Sequence, residues 1–286
     1  MTGRLILVST PIGNLGDLAP RAVDTLRGCA LICCEDTRHT GKLLSHAGVS
    51  GVRLAIANEH TEAARVVEVV DLLATGADVA VVTDAGTPGI SDPGARLVRA
   101  VLDAGHDVSA VPGPAALVMA LVISGFDTSR FVFEGFVPRS GRERTARLAE
   151  VAAEQRTIVL YEAPHRVQRT VADLATACGG ERRVALAREM TKKFEQVWRG
   201  SLADAQLHLA EREPRGEYVI VVQGARPADD VPPSDDELRA LLIAQLARDG
   251  NRRTAIATVM AATGVARRRL YDLAVGVPRA ATPPPP

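Results

Sequence analysis

Short runs of β-branched and other apolar residues alternate along the chain with longer segments whose apolar positions recur every three to four residues. That alternation predicts strands joined by amphipathic helices, and with them a mostly parallel sheet. In the first half the strand pattern falls at 5–9, 30–34, 53–57, 79–83 and 108–111. A helix from just past Gly113 to Ile123 leads to a second set at 131–136, 157–161, 184–188, 196–199 and 218–223, which reads as a mixed sheet. Some helices are clearly punctuated: Pro164 opens one in its first turn, and Gly179 and Gly180 stop it. Another is predicted from Pro93 to Ala104, with Asp92 as its cap and Gly105 just past its end. The stretch 225–234, rich in Pro and Asp, reads as a linker, and from 235 onward the pattern is purely helical, at 237–248, 254–262 and 266–275. Asn251 and the turn Thr263, Gly264, Val265 separate these helices with helix-turn-helix spacing, and the prolines at 283–286 read as a disordered end. The expected organisation is an α/β domain at 1–113, a second at 114–224, and a helical tail at 235–286.

Composition narrows this picture. The 286 residues carry 34 Lys plus Arg against 34 Asp plus Glu, so the chain as a whole has no charge bias toward a polyanion. No apolar run approaches the roughly 20 residues of a membrane span, and the short run near Leu5 is too brief for a signal-peptide core, so a cytoplasmic location is expected. Cys29, Cys33, Cys34 and Cys178 show no metal-ligand spacing and are expected to be buried, reduced thiols. Lysine occurs only at 42, 192 and 193, so the abundance of arginine reflects compositional bias and is no functional clue by itself.

The chemistry concentrates in four junctions that follow strands: Ser9-Thr10-Pro11-Ile12-Gly13-Asn14, Glu35-Asp36-Thr37-Arg38-His39-Thr40, the glycine-rich loop from Asp84 to Gly94, and Val111-Pro112-Gly113-Pro114-Ala115-Ala116. In a parallel sheet all four fall on the rim where open α/β folds bind ligands. Gly86 and Gly89 lack a Cβ, which lets a ligand approach the backbone closely. Neither the P-loop pattern nor the dinucleotide fingerprint is present. A ligand without phosphate, held by backbone groups and a carboxylate, fits better. S-adenosylmethionine, with its cationic sulfonium, is such a ligand.

Those four segments, with Tyr161-Glu162-Ala163-Pro164-His165-Arg166, Ala187-Arg188-Glu189-Met190-Thr191-Lys192 and Arg215-Gly216-Glu217, resemble the ribosomal RNA small subunit methyltransferase I family over nearly the whole chain. The resemblance implies two α/β domains of tetrapyrrole-methylase type forming a homodimer, with S-adenosylmethionine folded in the cleft between the domains. It implies methylation of a cytidine ribose 2′-oxygen in 16S rRNA, free or in the small ribosomal subunit. Carried over residue by residue, it places Pro11, Asp84, Gly86, Thr87, Ile90, Ala115, Ala116, Tyr161, Glu162 and Leu186 around the cofactor. A corrin-type tetrapyrrole methyltransferase and a non-catalytic, cofactor-sensing RNA-binding module are the competing readings, because fold alone does not fix substrate.

Removal of the hydroxyl proton calls for a base, and Glu35, Asp36, His39, Glu189 and Lys192 lie in the segments expected to face the cleft. Lys192 qualifies only if burial lowers its pKa. Asp36 has a structural alternative as a helix cap, and Glu189 as an interface ion pair. His165 and Arg166 sit in the first turn of a helix, where phosphate contact is plausible chemistry. The tail holds local positive charge: from Arg248 onward there are seven arginines and two aspartates. Arg252, Arg253, Arg267, Arg268 and Arg269 fall where a helix-turn-helix carries its recognition residues. A solvated helical cap on the dimer is the alternative. With only nine aromatic residues in the chain, recognition of RNA shape and backbone is expected rather than base stacking.

Overall fold

The computed structural model describes residues 3–58, 61–211, 213–226, 233–249 and 251–275. Most of the expected linker and the whole proline-rich end lie outside them. The chain divides into two compact units, Met1–Ala225 and Arg226–Pro286. Both sheets belong to the first.

The first sheet contains β1 (Arg4–Val8), β2 (Leu31–Cys34), β3 (Arg53–Ile56), β4 (Val79–Val81) and β5 (Asp107–Val111), ordered β3-β2-β4-β1-β5. Every pairing in it is parallel, for example Leu5 beside Val79 and Val108. β2, with the sequence LICC, and β4, with VAV, are buried throughout because both faces of the sheet are covered. One face packs on α1 (Pro20–Gly28) and α2 (Thr37–His46) through Ala22, Leu26 and Leu44. The other packs on α3 (Glu62–Ala74) and α4 (Ala95–Asp103) through Val69, Leu73, Leu97 and Val101.

The second sheet contains β6 (Phe131–Phe136), β7 (Thr157–Glu162), β8 (Arg183–Arg188), β9 (Gln196–Ser201) and β10 (Tyr218–Val222), ordered β6-β7-β10-β8-β9. β6 runs parallel to β7 and the remaining pairs are antiparallel, which is the mixed sheet expected. The all-apolar β10, YVIVV, is its fully buried centre. α6 (Gly141–Ala153), α7 (Pro164–Cys178) and α8 (Leu202–Ala210) cover one face, and α5 (Ala116–Ser124) covers the other.

Two local expectations are corrected. Helix α4 begins at Ala95, not Pro93, and Asp92 does not cap it. Its N-cap is Gly94, at φ 133°, and the carboxylate that receives the free N–H groups belongs to the buried Glu62 of α3: Oε1 accepts from Gly94 N at 3.0 Å and Leu97 N at 2.9 Å. Cys178 is only half-buried, whereas Cys29, Cys33 and Cys34 are buried and free. Burial pushes the Cys29 thiol up to about 11 and Cys33 to about 12, so both stay protonated and unreactive.

The second unit packs α9 (Asp235–Asp249), α10 (Arg252–Thr263) and α11 (Arg267–Val275) around Leu238, Leu242, Ile256, Val259 and Leu270. Asn251 caps α10 by accepting from Arg253 N and Thr254 N, and Gly264 ends it in the left-handed region at φ 65°. The helix-turn-helix spacing is thus realised.

Candidate functional site

Rim loops of the first sheet are stitched to one another. Thr10 and Gly86 exchange backbone hydrogen bonds of 2.9 and 3.1 Å, and Thr10 Oγ1 donates to the Thr83 carbonyl at 3.1 Å. Ser9 Oγ donates to Thr87 Oγ1, which donates to the Pro114 carbonyl, both at 3.3 Å. Gly113 lies so close to the β1 exit that a Cβ there would stand 2.9 Å from the Ser9 Cβ. Gly86, at φ 91°, needs the absence of a side chain for its backbone conformation as well.

Between this rim and the second sheet lies a cavity of about 740 Å3. Asp84, Gly86, Thr87, Ile90, Ala115, Ala116, Tyr161 and Glu162 line it, as does Glu35, and His165 stands at its edge. Pro11 and Leu186 do not line it; their neighbours Ile12 and Ala187 do. Leu186 is a correction: it points to the α6–α8 face of the sheet, while Ala185 and Ala187 face α5 and the cavity side. A second groove of about 760 Å3 runs between α6 and α7, but it is more open. Its charges are mutually satisfied, with Asp173 paired to Arg144 at 2.7 Å and to Arg169 at 3.8 Å.

The cavity is acidic. Glu35 Oε1 accepts from the Thr83 hydroxyl and, at 3.2 Å, from Asp84 N. Asp84 Oδ1 is buried with no hydrogen-bond partner among the described residues. Burial, with the Glu35 carboxylate behind it, raises the Asp84 pKa. Asp92 is pushed to about 6, foremost by burial and then by the facing carboxylates Glu35, Asp84 and Glu217, which outweigh a hydrogen bond with Thr83. Neither Asp92 nor Thr83 is among the site residues expected from the sequence; both lie in the glycine-rich segment, where the local pattern gives Asp92 to helix capping instead. Apolar walls complete the cavity, among them Ile12, Phe136, Met190 and Val219. Tyr161 packs edge-on against Phe133 and Phe136 at 4.9 and 5.8 Å, and its hydroxyl accepts from Leu117 N at 3.2 Å.

The other predicted groups are placed differently. Asp36 caps α2, accepting from Arg38 N at 2.8 Å, and forms a two-pronged pair with the Arg38 guanidinium that holds its carboxyl far below the usual range. His39 is exposed on the first turn of α2, near enough to Asp84 to act on its charge. Glu189 and Lys192 form a tie outside the cavity: Lys192 Nζ bonds Glu189 Oε1 at 3.0 Å and Glu217 Oε2 at 2.7 Å. Burial alone would lower the Lys192 pKa, but those two carboxylates outweigh it and the net shift is upward, opposite to the lowering that a lysine base requires. For Glu189 burial acts upward, yet the Glu217 N–H and Lys192 prevail and its carboxylate stays ionised. Arg166 turns inward to Glu162, at 3.1 Å, and to the Val137 carbonyl. In the second unit Arg253, Arg267 and Arg268 are exposed, whereas Arg252 is half-buried and Arg269 is paired with Asp235 at 2.7 Å.

The class is that of the Tetrapyrrole (Corrin/Porphyrin) Methylases, whose family model matches residues 4–206. Solved structures share the fold: uroporphyrin-III-C-methyltransferase from Thermus thermophilus, at TM-score 0.53 and 21% identity, covers 78% of this chain and 93% of its own. The methyltransferase CobJ, at TM-score 0.59 and 19% identity, covers 80% and 97%. Within that class the chain belongs to the ribosomal RNA small subunit methyltransferase I family. It is 46% identical to that protein of Synechocystis sp. over 96% of this chain and 98% of the relative, and 42% identical to that of Pseudomonas aeruginosa over 96% and 97%.

Proposed function

We propose that the chain transfers a methyl group from S-adenosylmethionine to the ribose 2′-oxygen of a cytidine in 16S rRNA. The observation that carries the reading is the acidic cavity on the rim of the parallel sheet, with Asp84 Oδ1 buried and without a hydrogen-bond partner among the described residues. An orphaned carboxylate oxygen and nearby carboxylates suit a cation and oppose a phosphate. The group therefore fits: Asp84 and Glu35 face its positive charge, the backbone at Gly86, Thr87, Ala115 and Ala116 takes its polar edges, and Ile12, Ile90, Tyr161 and Val219 enclose its apolar surface.

When bound, the sulfonium supplies an electrophilic methyl carbon. The protein's part is to align the ribose hydroxyl in line with that carbon, exclude water and accept a proton, so positioning supplies much of the acceleration. Glu35, which lines the cavity, and His39, at the start of α2 beside it, remain the candidates expected from the sequence that are free of a structural ion pair.

The partition into domains at 1–113 and 114–224, one on each side of the cavity, follows from this reading, as does a cytoplasmic location. No helix among the described residues is long and apolar enough to cross a membrane. A homodimer is supported by α5, which is apolar all round: Leu117, Ala120 and Leu121 pack on the second sheet, while Val118, Met119, Val122 and Ile123 are exposed. A second copy seated there would bury that face. Arg253, Arg267 and Arg268 are proposed to meet rRNA phosphates, with His165 at the cavity edge close to the target ribose.

Transfer of labelled methyl to naked 16S rRNA, to assembled small subunits and to a tetrapyrrole precursor tests the reading. Label is expected in RNA only, at a ribose that then resists alkaline cleavage on its 3′ side. Label in the tetrapyrrole alone, or on a base, would overturn it.

A further inference from the structure

Thr83 stands between two carboxylates of the cavity. Its hydroxyl hydrogen goes to Glu35 Oε1, while Asp92 shares a hydrogen bond with the same Thr83. A hydroxyl carries one hydrogen and two acceptor lone pairs, so it cannot donate to both carboxylates at once. With that hydrogen on Asp92 the ionised carboxylate is favoured; with it on Glu35, Asp92 meets the Thr83 oxygen only by carrying a proton itself. The arrangement Asp92–OH to Thr83 to Glu35 satisfies every group; the form with Asp92 ionised leaves two carboxylates competing for one hydrogen. Asp92 lines the cavity, and the preceding Ser91, itself a lining residue, sits at φ 62° without being glycine.

We propose that Asp92 is the catalytic base of the methyl transfer, with Thr83 and Glu35 as positioning residues that hold a place for the proton it receives. The inference rests on the assignment of the cavity to methyl transfer. In the step, the ribose O–H bond breaks and its proton bonds to an Asp92 carboxylate oxygen, while the ribose oxygen bonds to the methyl carbon. The carbon–sulfur bond breaks, its electron pair stays on sulfur, and a neutral thioether leaves. No further reactant is needed, and the proton passes from Asp92 to solvent after product departs.

Around Asp92 stand Glu35 just past β2, Asp84 in its own loop and Glu217 before β10, with the Tyr161 phenol of β7 also facing it and Lys192 tied to Glu217 at 2.7 Å. Burial and repulsion from the three carboxylates set the Asp92 pKa at about 6, close to working pH, where a base combines ionisation with proton affinity. Activity should therefore fall as pH drops through the Asp92 pKa, which the bound cation moves below its ligand-free position of about 6.

Single-turnover methylation of small subunits across the range from mildly acidic to mildly basic pH, with cofactor affinity measured in parallel by calorimetry, tests this. Asp92→Asn, nearly isosteric, is expected to lower the rate about 10²–10⁴-fold, the general-base range, with less than tenfold change in cofactor affinity. Glu35→Gln is expected to lower the rate and weaken cofactor binding, because Glu35 faces the cofactor's charge, and also to move the acid limb to lower pH, because one repelling charge on Asp92 is gone; a Glu35 that does not face Asp92 would leave the limb in place. A rate for Asp92→Asn within threefold of the parent, or an acid limb unmoved by Glu35→Gln, overturns the proposal. A parent protein that methylates no RNA would count against the functional reading instead.

Discussion

Glu62 offers the sharpest test of how the cofactor loop is held, because it lies in α3 and touches no part of the cavity. Its side chain is almost wholly buried, and one oxygen receives both Gly94 N and Leu97 N at the start of α4. Glu62→Ala leaves the buried Gly94 and Leu97 N–H groups at a helix N-terminus without their acceptor. Hydrogen bonds to a charged acceptor contribute about 1.5–3 kcal/mol each, and helix caps about 0.5–2 kcal/mol. The two bonds share one oxygen, so we expect a combined loss of about 3 kcal/mol. At ~2–4 °C per kcal/mol for a unit of this size, the melting temperature should fall by about 6–12 °C. Glu62→Gln keeps an amide oxygen in place and should lose only about 1 kcal/mol. Because α4 anchors the end of the 83–94 loop, the alanine variant should also bind S-adenosylmethionine more weakly than the glutamine variant at a temperature where both are folded. Denaturant titration and calorimetry supply the two readouts. An alanine variant within about 0.5 kcal/mol of the parent would refute the reasoning, since it would mean that water or another side chain caps α4 at no cost.

Asp84→Ala and Gly86→Val should each abolish cofactor binding while leaving the fold intact by circular dichroism; parent-like isotherms for both would show that the ligand does not sit on this loop. Asp92 carries a pKa raised in the folded state, so its contribution to the stability of the ligand-free protein is complete below about pH 4 and is lost as pH rises through about 6. Asp92→Asn should flatten the melting temperature over that window, and an unchanged pH profile would remove Asp92 as the group responsible. Val122→Glu should dissociate the proposed dimer in sedimentation without unfolding the chain, and a variant that still sediments as a dimer would move the interface off α5. Charge reversal at Arg253, Arg267 and Arg268 should weaken binding to rRNA and reduce the log–log salt slope by about 0.7–0.9 for each phosphate no longer neutralised, whereas an unchanged slope would return the tail to a structural role.

The alternation of apolar runs and amphipathic segments is enough to place all ten strands, because continuous burial on both sheet faces leaves long apolar runs such as Tyr218–Val222. That same feature hides the parity of β8. In RVALAR the two faces are equally apolar, so nothing local tells Leu186 from Ala187, and the expected residue is the one whose side chain packs on the α6–α8 face while its neighbour lines the cavity. Asp92 misleads for a different reason. A carboxylate followed by Pro and Gly before an apolar-periodic stretch satisfies the local rule for a helix cap, while the actual cap arrives from Glu62, distant in sequence and joined only by the packing of α3 on α4. Arg166 shows the same limit: its position in the first turn of α7 is legible, but its capture by Glu162 and the Val137 carbonyl depends on β6 lying beside β7.

The balanced charge of the chain conceals two opposite local fields. In the first unit, Glu35, Asp84 and Asp92 crowd one cavity, and none of them has an ion-pair partner among the described residues. The nearby positive charge is committed elsewhere, with Arg38 on Asp36, Arg166 on Glu162 and Lys192 between Glu189 and Glu217. In the second unit Arg253, Arg267 and Arg268 stand exposed. Excess negative charge inside a partly buried cavity is costly unless a cation joins it. In the proposed reaction that cost becomes selectivity: the carboxylates would favour a sulfonium over the neutral thioether that remains after transfer, and would repel the phosphates of the RNA. A polyanionic substrate is thus kept from occupying the cofactor cavity, while a sugar hydroxyl, which carries no charge, can still be admitted to its edge. In the proposed reaction one unpaired set of carboxylates would bind the donor, release the spent product and restrict the acceptor to a hydroxyl, while the exposed arginines of the second unit would supply the charge for the acceptor's phosphates.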